Sequence, residues 1–125
     1  MKLGSVGIDL VDVTRIAHLI ARYGDKFLTR ILGPDEIPQL GIRRDRSQFV
    51  SGRFAAKEAA IKALGHYLTD RPPLTKIQIV NDATGRPSLD LAGLALPQLR
   101  NVSAQLSISH ERSHAIAIVI LTEES

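Results

Sequence analysis

The alternation of apolar and polar residues predicts strands near both ends of the chain. Residues 3–11 and 102–109 alternate between apolar and other residues, which is typical of a β-strand. Residues 115–121 are almost wholly apolar, and such a run predicts a strand buried on both faces. In the first strand two sets of side chains face opposite ways: Val6, Ile8 and Leu10 on one side, and Gly7, Asp9 and Val11 on the other.

Between these strands, apolar residues recur at helical spacing. A helix is expected from a cap at Asp12 or Thr14 to Tyr23, where a glycine stops it. A shorter helix is expected over residues 25–32. The longest segment, residues 49–65, is rich in alanine, contains no proline and ends at a glycine, which predicts one continuous helix.

Short strands separated by a turn are expected in the second half of the chain. Residues 76–80 and 88–91 are expected to pair as a hairpin, with Gly85 in a turn conformation that is closed to other residues. Residues 92–101 fit either a loop or a short helix interrupted by proline. This order of elements predicts an α+β fold, a largely antiparallel sheet covered by helices, as one domain over residues 1–125.

Composition narrows the class of protein. Cysteine is absent, which fits a reducing cytoplasm and excludes disulfides and zinc–thiolate sites. We find no run long and apolar enough for a membrane span, and no signal-peptide pattern. The net charge of +3 indicates anionic partners. Aromatic residues make up only 4% and are not interleaved with basic ones, so a base-stacking surface for nucleic acid is not expected.

The charges of the longest helix are candidates for chemistry. Lys57 falls within the stripe of apolar residues that should face the core, and Glu58 and Lys62 lie along its edge. An ion pair on the helix surface is the ordinary interpretation of Glu58 and Lys62, which are four residues apart. However, three charges crowded beside buried alanines need a partner, and a metal-bound phosphate is a suitable one.

Asp9 adds a second carboxylate if this helix packs against the first strand. Taken alone, Asp9 fits a cap or a solvated strand end. Together with Glu58, and without cysteine or clustered histidine, it favours a hard cation such as Mg²⁺. Lys62, one helical turn beyond Glu58, would reach the same phosphate. The set predicts phosphoryl-type transfer, and no Walker loop, GxSxG or HExxH motif points to another chemistry.

Two groups of basic residues are candidate docking sites. Arg15, His18 and Arg22 share a face of the first helix, which suits either solvent or an acidic partner helix. The loop at residues 41–46 carries three arginines, Arg43, Arg44 and Arg46, which suit a phosphate. That loop keeps a second class of function open, a non-catalytic nucleotide- or nucleic-acid-binding module.

Motifs in a fixed order cover nearly the whole chain. Residues 7–16 follow the pattern G-[IT]-D-[IL]-V-x-[IV]-x-R-I, and residues 53–65 follow R-F-A-x-K-E-A-x-x-K-A-x-G. Residues 85–87 form a G-[KR]-P turn, and residues 107–117 follow S-[IL]-[ST]-H-x-x-x-x-A-x-A. Together they resemble the holo-[acyl-carrier-protein] synthases, the small class of 4′-phosphopantetheinyl transferases. His114 departs from the family, in which many members have tyrosine.

The resemblance implies an activity, a cofactor and partners. The enzyme would transfer 4′-phosphopantetheine from coenzyme A to a serine of an apo acyl carrier protein, a step of fatty acid biosynthesis. It would release adenosine 3′,5′-bisphosphate. It would require Mg²⁺ and act in the cytoplasm, as a homotrimer with sites between subunits, without binding nucleic acid or membrane. The alternative that keeps the fold without this activity is a scaffold subunit of a fatty-acid or polyketide assembly.

The resemblance also implies roles for individual residues. Asp9 and Glu58 would hold Mg²⁺, and Glu58 and Lys62 would be catalytic, with Lys62 on the coenzyme A phosphates. The helix that carries Arg15 and Arg22 would dock the carrier protein. By this resemblance the residues expected to bind substrate are Arg53, Gly85, Arg86, Pro87, Ser109 and His110. Lys57 is added to this set because its charge within the apolar stripe needs a partner.

The general base of this reaction is left open by the sequence. The carrier serine is expected to attack the β-phosphate while Mg²⁺ and Lys62 neutralise the charge that develops on the pyrophosphate. Glu58, a metal-bound water, or one of Asp35 and Glu36 would accept the serine proton, and the sequence does not choose among them.

Overall fold

One strand begins the fold, a group of helices follows, and the other strands complete it. The computed structural model describes residues 1–41, 43 and 45–124. In chain order the elements are β1 (Lys2–Asp12), α1 (Val13–Tyr23), α2 (Asp25–Ile31), α3 (Ile37–Leu40), α4 (Arg46–Ala63), β2 (Gln78–Asn81), β3 (Pro87–Asp90), β4 (Val102–His110) and β5 (His114–Glu123). Short 3₁₀ helices cover Gly65–Tyr67, Leu74–Lys76, Ala92–Leu94 and Pro97–Leu99.

The strands form two antiparallel sheets. The larger has the order β1-β5-β4, so the last strand lies between the first strand and β4. The smaller is the hairpin of β2 and β3. Helix α4 packs across the larger sheet against β1 and β5. The expected α+β fold, a largely antiparallel sheet covered by helices, is confirmed.

The ends of α1 follow from the residues that cap it. The Asp12 carboxylate accepts hydrogen bonds from the backbone N–H of Thr14 at 2.9 Å and of Arg15 at 3.4 Å, as an N-cap does. At the other end Gly24 has a φ of 56°, and its N–H donates to the carbonyl of Ile20. Both ends lie where the sequence predicts them.

Helix α4 begins three residues before its predicted start and ends before Leu64. The cap is Asp45, whose carboxylate accepts from the N–H of Gln48 at 3.0 Å. Beyond Leu64 the chain continues as the 3₁₀ turn Gly65–Tyr67 instead of completing another α-helical turn. None of the helices in the described residues, including α4, is long and apolar enough to cross a membrane.

Gly7 allows α4 to lie directly on β1. A Cβ atom at this position would be 2.0 Å from the carbonyl oxygen of Ala59 and 2.7 Å from the nitrogen of Ala63. The side chains of α4 at this contact are small and fully buried: Ala55, Ala56, Ala59, Ala60 and Ala63. This close approach fixes the position of α4 relative to Asp9, which lies two residues beyond Gly7.

The larger sheet has one covered face and one exposed face. On β5, Ala115, Ala117, Val119 and Leu121 are buried under α4, whereas Ile116 is 38% exposed. The expectation that this strand is buried on both faces is therefore wrong for the single chain, because the described helices cover only one face of the sheet. The exposed face, called the outer face below, carries Val6, Ile8, Leu10, Ile116, Ile118 and Ile120.

Candidate active site

Asp9 and Glu58 line the same pocket, although they are far apart in the sequence. The pocket has a volume of about 260 Å³ and lies where β1, α1, α2 and α4 meet. It is called the carboxylate pocket below. Its lining residues are Asp9, Leu10, Val11, Asp12, Arg15, Ile16, Leu19, Phe27, Phe54 and Glu58. The structure thus brings the two predicted metal ligands together within one chain.

Each of these carboxylates is paired with a cation of the same chain. The Lys62 ammonium donates to Asp9 Oδ1 at 3.1 Å and to the carbonyl of Ile8 at 3.0 Å. The Arg71 guanidinium pairs with the Glu58 carboxylate. Helix α4 therefore does not form the expected ion pair between Glu58 and Lys62, because the Lys62 side chain extends to β1. Both cations have more than half of the side chain exposed, so they can exchange partners at low cost.

The donor atoms of the carboxylate pocket suit magnesium. Mg²⁺ in enzymes is usually held by one or two protein carboxylates, with water and substrate phosphate oxygens completing the octahedron. Asp9 and Glu58 supply two carboxylates that are partly open to solvent. Over residues 1–41, 43 and 45–124, no group of three or more histidine, cysteine, aspartate or glutamate residues is close enough to hold a metal. With the two carboxylates of Asp9 and Glu58, the pocket fits an ion whose other ligands come from water and substrate.

A second pocket, of about 380 Å³, is rich in cationic side chains and is called the arginine pocket below. Its lining residues are Arg43, Asp45, Gln48, Phe49, Gly52, Arg53, Asn81, Gly85, Pro87, Ile108 and His110. The guanidinium carbons of Arg43 and Arg53 lie 4.5 and 4.6 Å from the centre of the Phe49 ring, within cation–π distance. Two guanidinium groups held on one ring suit an anionic ligand.

Four of the residues predicted to bind substrate line the arginine pocket, namely Arg53, Gly85, Pro87 and His110. Gly85 has a φ of 86° in a turn held by Asp82, whose carboxylate accepts from Thr84 and from the N–H of Arg86. These hydrogen bonds lower the pKa of Asp82. The one from the Thr84 hydroxyl has the largest effect, and the one from the Arg86 N–H has the next largest.

The other predicted substrate-binding residues lie elsewhere. Arg86 lines a neighbouring pocket beside β4. Ser109 is exposed on β4 next to His110, in register with Ile116 of the outer face. Lys57 needs a correction, because its side chain is fully buried and its ammonium lies 2.5 Å from Glu36 Oε1. A lysine held in this way is a core residue and does not reach a substrate in either pocket. Burial lowers its pKa, and the Glu36 carboxylate opposes that change.

Sequence reasoning missed several residues of the arginine pocket. Phe49 was assigned only to a helix, and Asn81 only to a turn, because neither contains a group that signals a site by itself. Arg43 had a signal, since it lies in the arginine-rich loop expected to suit a phosphate. Arg46 of that loop belongs to the first turn of α4, and Arg44 lies outside the described residues.

Comparison with known proteins gives this arrangement a family. A protein-family model described as the 4′-phosphopantetheinyl transferase superfamily matches residues 5–119. The holo-[acyl-carrier-protein] synthase of Chlorobium limicola is 40% identical over 119 residues, which are 95% of this chain and 94% of that protein. The chain belongs to the holo-[acyl-carrier-protein] synthase family.

Solved structures of holo-[acyl-carrier-protein] synthases have the same fold. The crystal structure from Bacillus anthracis, in complex with CoA (3′,5′-ADP), is 35% identical, with a TM-score of 0.81 over 100% of both chains. The Helicobacter pylori synthase in complex with coenzyme A is 34% identical, with a TM-score of 0.80 over 94% of this chain and 99% of that chain. The sheet and helices described above are therefore the fold of this synthase family.

The structure narrows the choice of general base that the synthase resemblance left open. Glu36 is fully buried and accepts hydrogen bonds from Gly33 and Lys57, so it cannot meet a substrate proton. Asp35 is exposed but does not line the carboxylate pocket. Glu58 is the acid of the three that lies in the pocket.

The basic face of α1 lies beside the carboxylate pocket. Arg15, His18 and Arg22 are all exposed. Arg15 lines the pocket itself, and the guanidinium carbon of Arg22 lies 5.4 Å from the centre of the Tyr23 ring. A partner that docks on this face would therefore deliver a side chain to Asp9 and Glu58.

Proposed function

We propose that this protein transfers the 4′-phosphopantetheine group of coenzyme A to a serine of an apo acyl carrier protein. The serine oxygen forms a bond to the β-phosphorus, the bond from that phosphorus to the bridging oxygen breaks, and adenosine 3′,5′-bisphosphate leaves with the electron pair. The observation that carries this proposal is the meeting of Asp9 and Glu58 at one pocket, with Lys62 paired to Asp9, in a chain of the synthase family. We place this reaction in fatty acid biosynthesis, because its acceptor is an acyl carrier protein, and in the cytoplasm, whose reducing conditions fit a chain without cysteine.

At the carboxylate pocket, Asp9, Glu58 and Lys62 would each have their own role in the transfer. Asp9 and Glu58 would hold Mg²⁺, which when bound screens the negative charge of a pyrophosphate. Lys62 is exposed and lies at the edge of the site, so its ammonium can leave Asp9 for a phosphate oxygen. We propose that Glu58, the one of the three candidate acids that lines the pocket, accepts the serine proton.

The arginine pocket would bind the nucleotide part of coenzyme A. Arg43 and Arg53 offer guanidinium groups to phosphate oxygens, and His110 lies at the same pocket. Gly85 and Pro87 supply a close, rigid backbone edge. Two matching synthases are described in complex with coenzyme A or its nucleotide, which supports this assignment.

We further propose that the protein, as a single domain, assembles as a homotrimer with each site completed by a neighbour. The carboxylate pocket and the arginine pocket share no lining residue within one chain. The outer face exposes contiguous apolar side chains, with Val6, Ile8 and Leu10 between 50% and 63% exposed. An apolar patch of this kind is typical of a protein–protein interface.

Placing a charge on the outer face is expected to break this assembly. Ile8→Asp should shift the sedimentation profile from trimer to monomer and abolish transfer together with it, because an unpaired carboxylate would be buried at the interface. Ile37→Asp, at an exposed isoleucine of α3, is the matched control and should leave the trimer intact. A wild-type protein that sediments as a monomer would refute the trimer.

Reversing a charge on the basic face of α1 is expected to weaken carrier-protein docking. Arg22→Glu should raise the KM for the acidic carrier protein by about tenfold or more, since a like-charge contact costs more than about 1.4 kcal/mol. The KM for coenzyme A should not change. Arg100→Glu, which reverses the charge of an exposed arginine outside α1, is the control. Equal effects of the two variants on the carrier KM would show that α1 is not the docking helix.

Mass spectrometry tests the reaction itself. Apo acyl carrier protein incubated with the enzyme, coenzyme A and Mg²⁺ should gain the mass of one phosphopantetheine group, and adenosine 3′,5′-bisphosphate should appear in equal amount. The gain should vanish with EDTA. Binding of coenzyme A with no change in carrier mass would instead support the non-catalytic alternative.

A further inference from the structure

A buried carboxylate connects the core of the molecule to the arginine pocket. Glu36 lies between α2 and α3 and is fully buried. Its Oε1 atom accepts from the N–H of Gly33 at 2.8 Å and from the Lys57 ammonium at 2.5 Å. Its Oε2 atom accepts from the N–H of Ile79 on β2 at 3.3 Å and lies 4.0 Å from Arg53 Nε. One side chain therefore contacts a loop, a strand and two cations of α4.

Arg53 reaches from this cluster into the arginine pocket. Its side chain is 8% exposed, and one terminal nitrogen donates to Gln39 Oε1 at 3.3 Å. Its Nε is buried and has no hydrogen-bond partner within residues 1–41, 43 and 45–124, and Glu36 is its paired carboxylate. The remaining contact is with the ring of Phe49, which Arg43 also contacts. Arg43 repels Arg53 across this ring, and Glu36 is the buried negative charge that offsets the repulsion.

The charge balance of the cluster shows why Arg53 needs this carboxylate. Burial lowers the pKa of Arg53, Glu36 raises it, and Arg43 lowers it. A guanidinium that is mostly buried beside another guanidinium costs free energy unless an anion lies near it. Before substrate binds, Glu36 is that anion. The ion pair with Lys57 leaves the second carboxylate oxygen of Glu36 available to Arg53, because Lys57 contacts Oε1 and Arg53 lies nearest to Oε2.

We propose that Glu36 is a positioning residue for substrate binding: its carboxylate holds the Arg53 guanidinium in the arginine pocket, oriented for the phosphate oxygens of coenzyme A. This inference rests on the proposed function. It gives Glu36 a role in affinity for coenzyme A without any contact between Glu36 and the substrate. It also explains why α4 carries both Lys57 and Arg53 next to one buried acid.

A purely structural role must be separated from positioning, because Glu36→Gln alone leaves the buried Lys57 charge with the Ile31 carbonyl but without a carboxylate and destabilises the fold. The double variant Glu36→Gln/Lys57→Met removes both charges, and such replacements of buried ion pairs are often neutral for stability. In this variant neither charge of the Glu36–Lys57 pair remains in the core, but Arg53 no longer has a carboxylate beside it. Glu36→Asp is the second variant. It moves the carboxylate back by one methylene group, so the Lys57 pair, which starts at 2.5 Å, stays within reach, whereas the approach to Arg53 Nε, which starts at 4.0 Å, is lost.

Calorimetry of coenzyme A binding and steady-state kinetics then test the proposal. In the double variant we expect unfolding close to that of the wild type, about tenfold weaker coenzyme A binding and a KM raised to match, with kcat and the carrier KM nearly unchanged. Adding Arg53→Gln to this variant should weaken binding less than it does in the wild type, because the two residues act together.

Two results would overturn the proposal. Wild-type affinity for coenzyme A in the folded double variant would show that Glu36 serves stability alone. Should the double variant not fold, wild-type affinity in Glu36→Asp would show the same. Failure of the wild-type enzyme to bind or turn over coenzyme A would instead refute the proposed function, so the two failures are distinguishable.

Discussion

Replacing Glu58 with glutamine is expected to lower the rate of transfer by about a hundred- to a thousandfold while the protein still folds. The amide keeps the shape of the side chain but removes the charge that faces Asp9 across the carboxylate pocket. Stability should fall by less than about 1 kcal/mol, because the pair with Arg71 that is lost lies near the surface. Mass spectrometry of the carrier protein gives the rate, and urea unfolding gives the stability.

Glu124→Gln is the control for this prediction. Glu124 is an exposed carboxylate outside both pockets, so its replacement should leave the rate unchanged. Asp9→Asn should behave like Glu58→Gln, since both carboxylates belong to the same pocket. Full activity in Glu58→Gln would remove this residue from both of its proposed roles, as a metal ligand and as the base.

Replacing Gly7 with alanine is expected to destabilise the protein by about 3 kcal/mol, at the upper end of what overpacking costs. The added methyl group would lie 2.0 Å from the Ala59 carbonyl oxygen and 2.7 Å from the Ala63 nitrogen. Both are backbone atoms of α4, which cannot rotate away as a side chain does. Urea unfolding measures the change, and the residual folded fraction should show weakened transfer because α4 is displaced from Asp9.

Gly65→Ala is the matched control for Gly7→Ala. A Cβ atom added at Gly65 would have nothing within 4 Å, and Gly65 does not have the positive φ that favours glycine. The change in stability should therefore stay within about 0.5 kcal/mol. A Gly7→Ala protein as stable as Gly65→Ala would mean that α4 does not lie directly on β1, and the contact that brings Glu58 to Asp9 would lose its basis.

The elements of the fold could largely be predicted because their signals are local. Asp12 caps α1 by bonding backbone groups two and three residues away, and Gly24 ends it within one turn. Alternation of apolar and polar residues marks β1 and β4 in the same way. The meeting of Asp9 and Glu58 was also predicted, as a condition on helix packing, and the close approach at Gly7 satisfies that condition.

What the sequence could not provide is which distant groups pair. Lys57 was assigned to substrate because a charge within an apolar stripe needs a partner, and that reasoning about need was correct. The partner is Glu36, twenty-one residues earlier, and no local pattern connects the two. Likewise, alternation in β1 separates two faces but does not say which one is covered, since only packing places α4 on the side of Gly7 and leaves Ile8 exposed.

The most direct test of the account is a titration with Mn²⁺, an oxygen-seeking substitute for Mg²⁺, followed by electron paramagnetic resonance in the presence of coenzyme A. The wild-type protein should bind one Mn²⁺ per site, and Asp9→Asn and Glu58→Gln should each bind it at least about tenfold more weakly. If both variants bind Mn²⁺ as the wild type does, the carboxylate pocket is not the metal site.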